Sequence, residues 1–299
     1  MVEPKDLEPA GERALETIRS ASGVTFEVVE HPRLKGSDNL SQAYQLYFAQ
    51  EAGARLRQLK ITLNNSEVFV EAGALQYMLG VLSVDNPLGG VGGFMRKKVR
   101  QALTGETITM PRYKGSGELY LEPTFAHFAL LELTDEELVT DKGLFYAAES
   151  GLSVGVASQK NISSALLGGE GLFQTKLAGT GTCALALPVP LDEIKRVRLN
   201  GEKLSVDGNF ALLRRGKIDF KVEKSSKSIM GTLASGEGLL QTFQGYGEVW
   251  LAPTQSVYQA LSNGGFGRLG SSQHGRGANV DSGEASKRSF WSFKLPDIF

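Results

Sequence analysis

The chain has 299 residues, enough to bury a sizeable core, and its 32 basic and 33 acidic residues leave a formal charge of −1. No global field therefore draws it to nucleic acid or to an anionic membrane, and any such contact must use a local patch. The only cysteine, Cys183, excludes an internal disulfide framework and makes a reducing cytoplasm the default location.

The opening segment, MVEPKDLEPAGERALETIRSASG, is rich in glutamate and lacks the apolar run of a signal peptide. Pro9 suits a first helical turn, and Leu7, Ala14, Leu15 and Ile18 form a narrow apolar stripe, so residues 1–22 are expected to hold a short docked helix. No run reaches the roughly 20 apolar residues that a membrane-spanning helix requires.

From Lys60 onward the pattern changes to period two. ITLNNSEVFV, VRLNGEKLSV and GELYLEP alternate apolar and polar residues, as half-buried strands do, and Asn200-Gly201 between two such runs predicts a hairpin turn. One motif recurs three times: GETITMPRYKGSGELYLEP ending at Pro123, GEGLFQTKLAGTGTCALALP at Pro188, and GEGLLQTFQGYGEVWLAP at Pro253, with the prolines 65 residues apart. Gly73, Gly151 and Gly216 upstream of these copies are read as equivalent turns. Internal similarity at a fixed period is the signature of a repeated structural unit.

Gly179-x-Gly181-x-x-Ala184 formally fits a dinucleotide fingerprint, but such a loop must open directly into a helix whose N-terminus faces the pyrophosphate. Here TCALALP, ELYLEP and EVWLAP follow the glycines: short, rich in strand formers and closed by proline. The glycines are therefore read as a hairpin turn or bulge, and no cofactor is expected.

The thrice-used pattern Gly-Glu-x-Leu-x-Gln-Thr…Gly-x-Gly…Leu-x-Pro, with the turn Val70-Glu71-Ala72-Gly73-Ala74-Leu75, resembles the altered-inheritance-of-mitochondria family over roughly Leu46 to Pro253. The first copy departs from it, with Thr109-Met110 where the others have Gln174-Thr175 and Gln241-Thr242. The resemblance implies an all-β fold of TRAP-like, double-stranded β-helix type, with three pseudo-repeated β-sandwich-like units. It implies no enzymatic activity. The expected organisation is an N-terminal helix over 1–22, one β domain over 23–253 and a tail over 254–299. Within the β domain, repeat 1 runs from about 24 to 123 with an insertion at 82–98, repeat 2 from 124 to 188 and repeat 3 from 189 to 253.

His31, His127 and His274 lack any spacing suited to one metal, and His127 in FAHFALLEL reads as a packed or interfacial residue. Cys183, between Thr182 and Ala184, reads as a small buried hydrophobe. Glu106, Glu170 and Glu237 hold equivalent places in the three copies; carboxylates so placed could carry acid-base chemistry, but a structural hydrogen-bonding role is favoured.

In the insertion, Arg96, Lys97, Lys98 and Arg100 form a basic cluster on a short expected helix, able to hold phosphate oxygens or an acidic partner. After Pro253, TQSVYQAL reads as a short helix, and a Gly/Ser-rich tail ends on Phe290, Trp291, Phe293 and Phe299, a patch expected to dock within a homo-oligomer. The reading is a non-catalytic oligomeric scaffold or binding protein. Its alternatives are an anionic-ligand or RNA binder through residues 94–100, and an enzyme with a site between repeats. Nucleic acid is not expected as a partner, a protein partner remains open, and peripheral membrane contact through the tail is the weaker alternative to docking.

Overall fold

The computed structural model describes residues 12–85, 110–157, 174–207, 210–224 and 239–262. These residues form a mostly antiparallel twelve-stranded sheet with two α-helices: β1 (Arg13–Arg19), β2 (Val24–Glu30), α1 (Leu40–Glu51), β3 (Arg57–Val70), β4 (Leu75–Asp85), β5 (Arg112–Leu121), β6 (His127–Thr140), β7 (Phe145–Glu149), β8 (Leu152–Ala157), β9 (Gln174–Leu187), β10 (Lys195–Asp207), β11 (Ala211–Lys224), β12 (Leu239–Leu251) and α2 (Gln255–Ser262). The protein is all-β in class, as its alternating runs predict. Among the described residues no helix is long and apolar enough to cross a membrane.

Three groups of strands share one pairing pattern. β5, β9 and β12 are central, each flanked by β3 and β4, by β6 and β7–β8, or by β10 and β11. The ladders slip between Leu63 and Ser66, between Leu133 and Glu136, and between Asn200 and Lys203. Each slip faces a Gly-x-Gly: Gly115 and Gly117, Gly179 and Gly181, Gly245 and Gly247. A second slip recurs between Leu75 and Tyr77, Phe145 and Ala147, and Ala211 and Leu213.

Of the two expected readings, hairpin turn or bulge, the structure has the bulge. The Gly-x-Gly pairs lie inside continuous strands, and the extra residues that bend the ladder sit on the opposing strand. No helix starts at any of the three. Asn200-Gly201 is likewise a bulge within β10, because the strand continues past it against β12. Gly73 turns β3 into β4 and is matched by Gly143, whereas Gly151 separates β7 from β8 and corresponds to Gly80 and Gly216, both within continuous strands.

The expected N-terminal helix is also corrected: Arg13–Arg19 is strand, paired antiparallel with β2. Arg-Ala-Leu-Glu favours a helix in isolation, but a neighbouring edge supplies a full ladder of hydrogen bonds, and tertiary pairing overrides propensity. β2 in turn pairs with the first half of β3. α1 was not expected; Asn39 Oδ1 caps it by accepting from the Gln42 amide at 2.9 Å. α2 forms where TQSVYQAL suggests and is tied to Glu193 by Thr254 and by the Tyr258 hydroxyl at 2.7 Å.

Three apolar clusters fill the interior. The first joins β2, β3 and β5 to Phe128, Leu130, Tyr146 and Ala147 of the second group. The next joins the second group to Leu212, Leu213, Trp250 and Ala252 of the third. The last, around Leu199, Val206, Phe243 and Val249, draws only on the third group.

Candidate assembly interface

The arc of strands has two unlike ends. The tail of β3 pairs with β7, Val70 opposite Ala147, and the tail of β6 pairs with β11, Thr140 opposite Leu213. By register the third such pairing would join the tail of β10, at Val206, to β4, at Tyr77. Among the described residues β10 pairs only with β12 and β4 only with β5. Neither outer edge has a partner strand among the described residues.

The side chains on β4 reflect this. Tyr77 is 47% exposed, Met78 43%, Leu79 50% and Val81 86%. Ala147 and Ala148, at the matching positions on β7, are fully buried, and Leu213 on β11 is 3% exposed. A contiguous apolar edge is a template for pairing with another strand.

Beside the edge, Tyr77 stacks on Tyr120 with ring centroids 4.4 Å apart. Lys60 Nζ lies 2.9 Å from Glu118, and the Tyr120 hydroxyl donates to Glu118 at 3.0 Å. Burial opposes the charge on Lys60, but its hydrogen bonds to Glu118 and Tyr120 outweigh that and hold it above its ordinary range. Burial first, then Glu118, pushes Tyr120 up to about 12, so its hydroxyl stays protonated at neutral pH. The cluster fixes Tyr77 in place at the rim of the edge.

Other titratable groups serve the fold. Cys183 is fully buried, and burial pushes its thiol up to about 12, which removes it as a nucleophile at neutral pH. Glu149 is 3% exposed and accepts from Ser20 and Ser22 at 3.0 and 3.2 Å, pinning the β1–β2 turn to the second group; its Oε1 has no partner among the described residues. Arg215 donates through Nε to Glu136 at 3.1 Å and joins the second group to the third. His31 bridges Gln58 at 3.1 Å and Glu12 at 3.4 Å. Among the described residues no three His, Cys, Asp or Glu side chains gather as a metal-holding cluster.

His127 is half-buried at the start of β6, and burial, followed by Arg57, lowers it from 6.5 to about 4. The unfolded chain therefore takes up a proton that the folded one refuses. Stability should fall as pH drops from about 6.5 to about 4, and His127→Gln should remove about 1–2 kcal/mol of that loss, discounted for partial solvent screening. Urea unfolding at several pH values checks this; parallel curves for both proteins would refute it.

Most of the candidates singled out in the sequence are not located. Arg96, Lys97, Lys98 and Arg100, the carboxylates Glu106, Glu170 and Glu237, and Phe290, Trp291, Phe293 and Phe299 lie outside the described residues. The open β4 edge and the exposed α1 stripe of Leu40, Tyr44, Tyr47 and Phe48 were missed. Exposure of β4 had no sequence signal, since LQYMLGVLSV reads as a buried strand.

Comparison with known proteins agrees with this architecture. An uncharacterized protein of Streptococcus pyogenes serotype M6 is 28% identical over 196 residues, covering 63% of this chain and 77% of the relative. The crystal structure of a Streptococcus pyogenes protein from a structural-genomics consortium superposes with a TM-score of 0.52 at 22% identity, over 70% of this chain and 94% of that one, a likeness of fold. The profile described as mitochondrial biogenesis AIM24 matches residues 49–254, and the chain accordingly belongs to the AIM24 family.

Proposed function

We propose that this protein is a non-catalytic scaffold that works as a homo-oligomer, built from one β module used three times per chain. The observation that carries the reading is the open edge of β4. Tyr77, Met78, Leu79 and Val81 stand in solvent at the place where the other two groups of strands are covered by a neighbour. Isolated apolar side chains on a surface are ordinary, but a row of them on a strand whose outer edge is unpaired favours association. The stacked and hydrogen-bonded Tyr77–Tyr120–Glu118–Lys60 cluster supports the same reading, because an ordered aromatic rim lowers the entropy lost on docking.

Light scattering of the full chain over a range of concentrations tests this. The expected result is a mass above that of one chain, reduced to the monomer by Leu79→Lys with Val81→Lys, two exposed sites whose change leaves the cores untouched. A wild-type chain that stays monomeric throughout would overturn the reading.

A further inference from the structure

We propose that Arg214, at the seam between β6 and β11, anchors a small-molecule site that takes a monocarboxylate with an apolar or aromatic body. The site lies on other strands than β4, so it stands apart from the scaffold reading and adds a ligand to it.

The first observation is an unbalanced charge. Elsewhere in the sheet a partly buried cation has a carboxylate: Lys60 lies 2.9 Å from Glu118 and Arg112 3.4 Å from Glu67, while Lys176 meets Glu137 and Arg215 meets Glu136. Arg214 is also partly buried, yet it makes no ion pair among the described residues. Its Nη1 donates to Gln174 Oε1 at 2.8 Å, and the guanidinium lies 5.0 Å from the Phe220 ring centroid. A guanidinium has five N–H donors, so the Nε–Nη2 edge is left without an acceptor among the described residues. Burial, which Glu137 only partly offsets, lowers Arg214 to about 10; the group stays cationic at neutral pH, in surroundings that solvate it poorly.

The second observation is that the fold does not call for a charge here. Arg214 stands opposite Val139 of β6 and Val249 of β12. The equivalent position in the second group is Ala148 on β7, fully buried and opposite Phe69 of β3. A methyl group closes that seam. At this one a long cationic side chain reaches over the partly buried Phe220, which in turn packs on Phe243 with ring centroids 5.0 Å apart. A partly buried charge without a counter-ion is costly, and a site built to receive an anion accounts for it.

The same groups define the ligand. The Nε–Nη2 edge of a guanidinium matches the two oxygens of a carboxylate bidentately. One unpaired positive charge calls for one negative charge; a phosphate dianion would bring an excess beside Glu137, whose field already reaches Arg214. Phe220 and Phe243, with Val139 and Val249 across the strands, offer an apolar wall to the rest of the molecule.

Isothermal titration of the full chain tests this with phenylacetate as the probe. Phenylacetate should bind saturably, one per chain, and at least about tenfold more tightly than acetate, benzyl alcohol or inorganic phosphate, which lack in turn the ring, the charge and the planar monovalent head. Arg214→Lys keeps the charge and loses the fork; it should weaken phenylacetate about tenfold while circular dichroism shows the fold unchanged. Phe220→Leu, which leaves the guanidinium in place, should weaken phenylacetate by about threefold through the lost ring contact. The ligand series in the wild-type protein decides the matter even where a variant fails to fold. The proposal is overturned if phenylacetate shows no saturable binding, or if phosphate or benzyl alcohol binds as tightly. It is equally overturned if folded Arg214→Lys binds phenylacetate as the wild type does. None of these results alters the oligomeric mass on which the scaffold reading rests.

Discussion

Replacing Gly245 by alanine is expected to cost about 3–4 kcal/mol and to lower the unfolding temperature by roughly 10 °C. Gly245 has φ +140°, and an added Cβ would lie 2.2 Å from the Lys217 carbonyl oxygen and 3.1 Å from the Ile218 Cα. Both atoms are backbone of β11, which the ladder to β12 holds on either side of the contact. The clash cannot be relieved by turning a side chain. The equivalent Gly115 is as confined, with the Val81 carbonyl at 2.2 Å, and Gly179 nearly so, with the Gly151 carbonyl at 2.5 Å. Gly73→Ala is the control: its φ is +86°, but nothing lies within 4 Å of the added carbon. It should cost only about 1–2 kcal/mol, the penalty of a left-handed alanine. Circular dichroism followed through thermal and urea unfolding measures both. Equal, small losses would show that strand proximity is not what the Gly-x-Gly pairs provide.

The same pairs mark the limit of what the sequence discloses. Alternation in ITLNNSEVFV and VRLNGEKLSV identifies strands, and the β-forming residues after each Gly-x-Gly rule out a phosphate loop, because those signals are local. Whether Gly179 and Gly181 turn the chain or let it pass close to a neighbour is decided by Thr134 and Asp135 on another strand, the latter at φ +49°. Asn200-Gly201 fails as a hairpin for the same reason: β12 runs opposite both halves of β10 and keeps the strand going.

Residues 13–19 carry helix-forming types, yet become strand because β2 offers an edge that no local rule contains. α1 was readable in principle, since Asn39 and Gln42 have the spacing of a helix cap. The open edge was not, because an apolar run looks the same whether a neighbour covers it or not.

Trp250→Ala should be the most damaging substitution of a side chain, with an expected loss of about 3–5 kcal/mol. Trp250 is 1% exposed and belongs to the cluster that seals the second group of strands against the third. Its indole donates to Glu248 at 2.5 Å, and the Arg196 guanidinium lies 4.2 Å from the ring. Truncation would leave a cavity at the seam and remove the surface on which Arg196 stacks. The matching residue at the seam between the first two groups is Ala184, fully buried beside Leu130, and the matching residue at the open end is Tyr120, beneath Lys60 at 5.3 Å. One position thus carries an aromatic ring under a cation at two sites and a small residue at the third. Trp250→Phe keeps most of the apolar contact and forfeits the bond to Glu248, so it should cost about 1 kcal/mol. Chemical unfolding of the two variants separates these contributions. A loss from Trp250→Ala no greater than that from Trp250→Phe would mean that the indole's polar edge, rather than its bulk, holds the third group to the second.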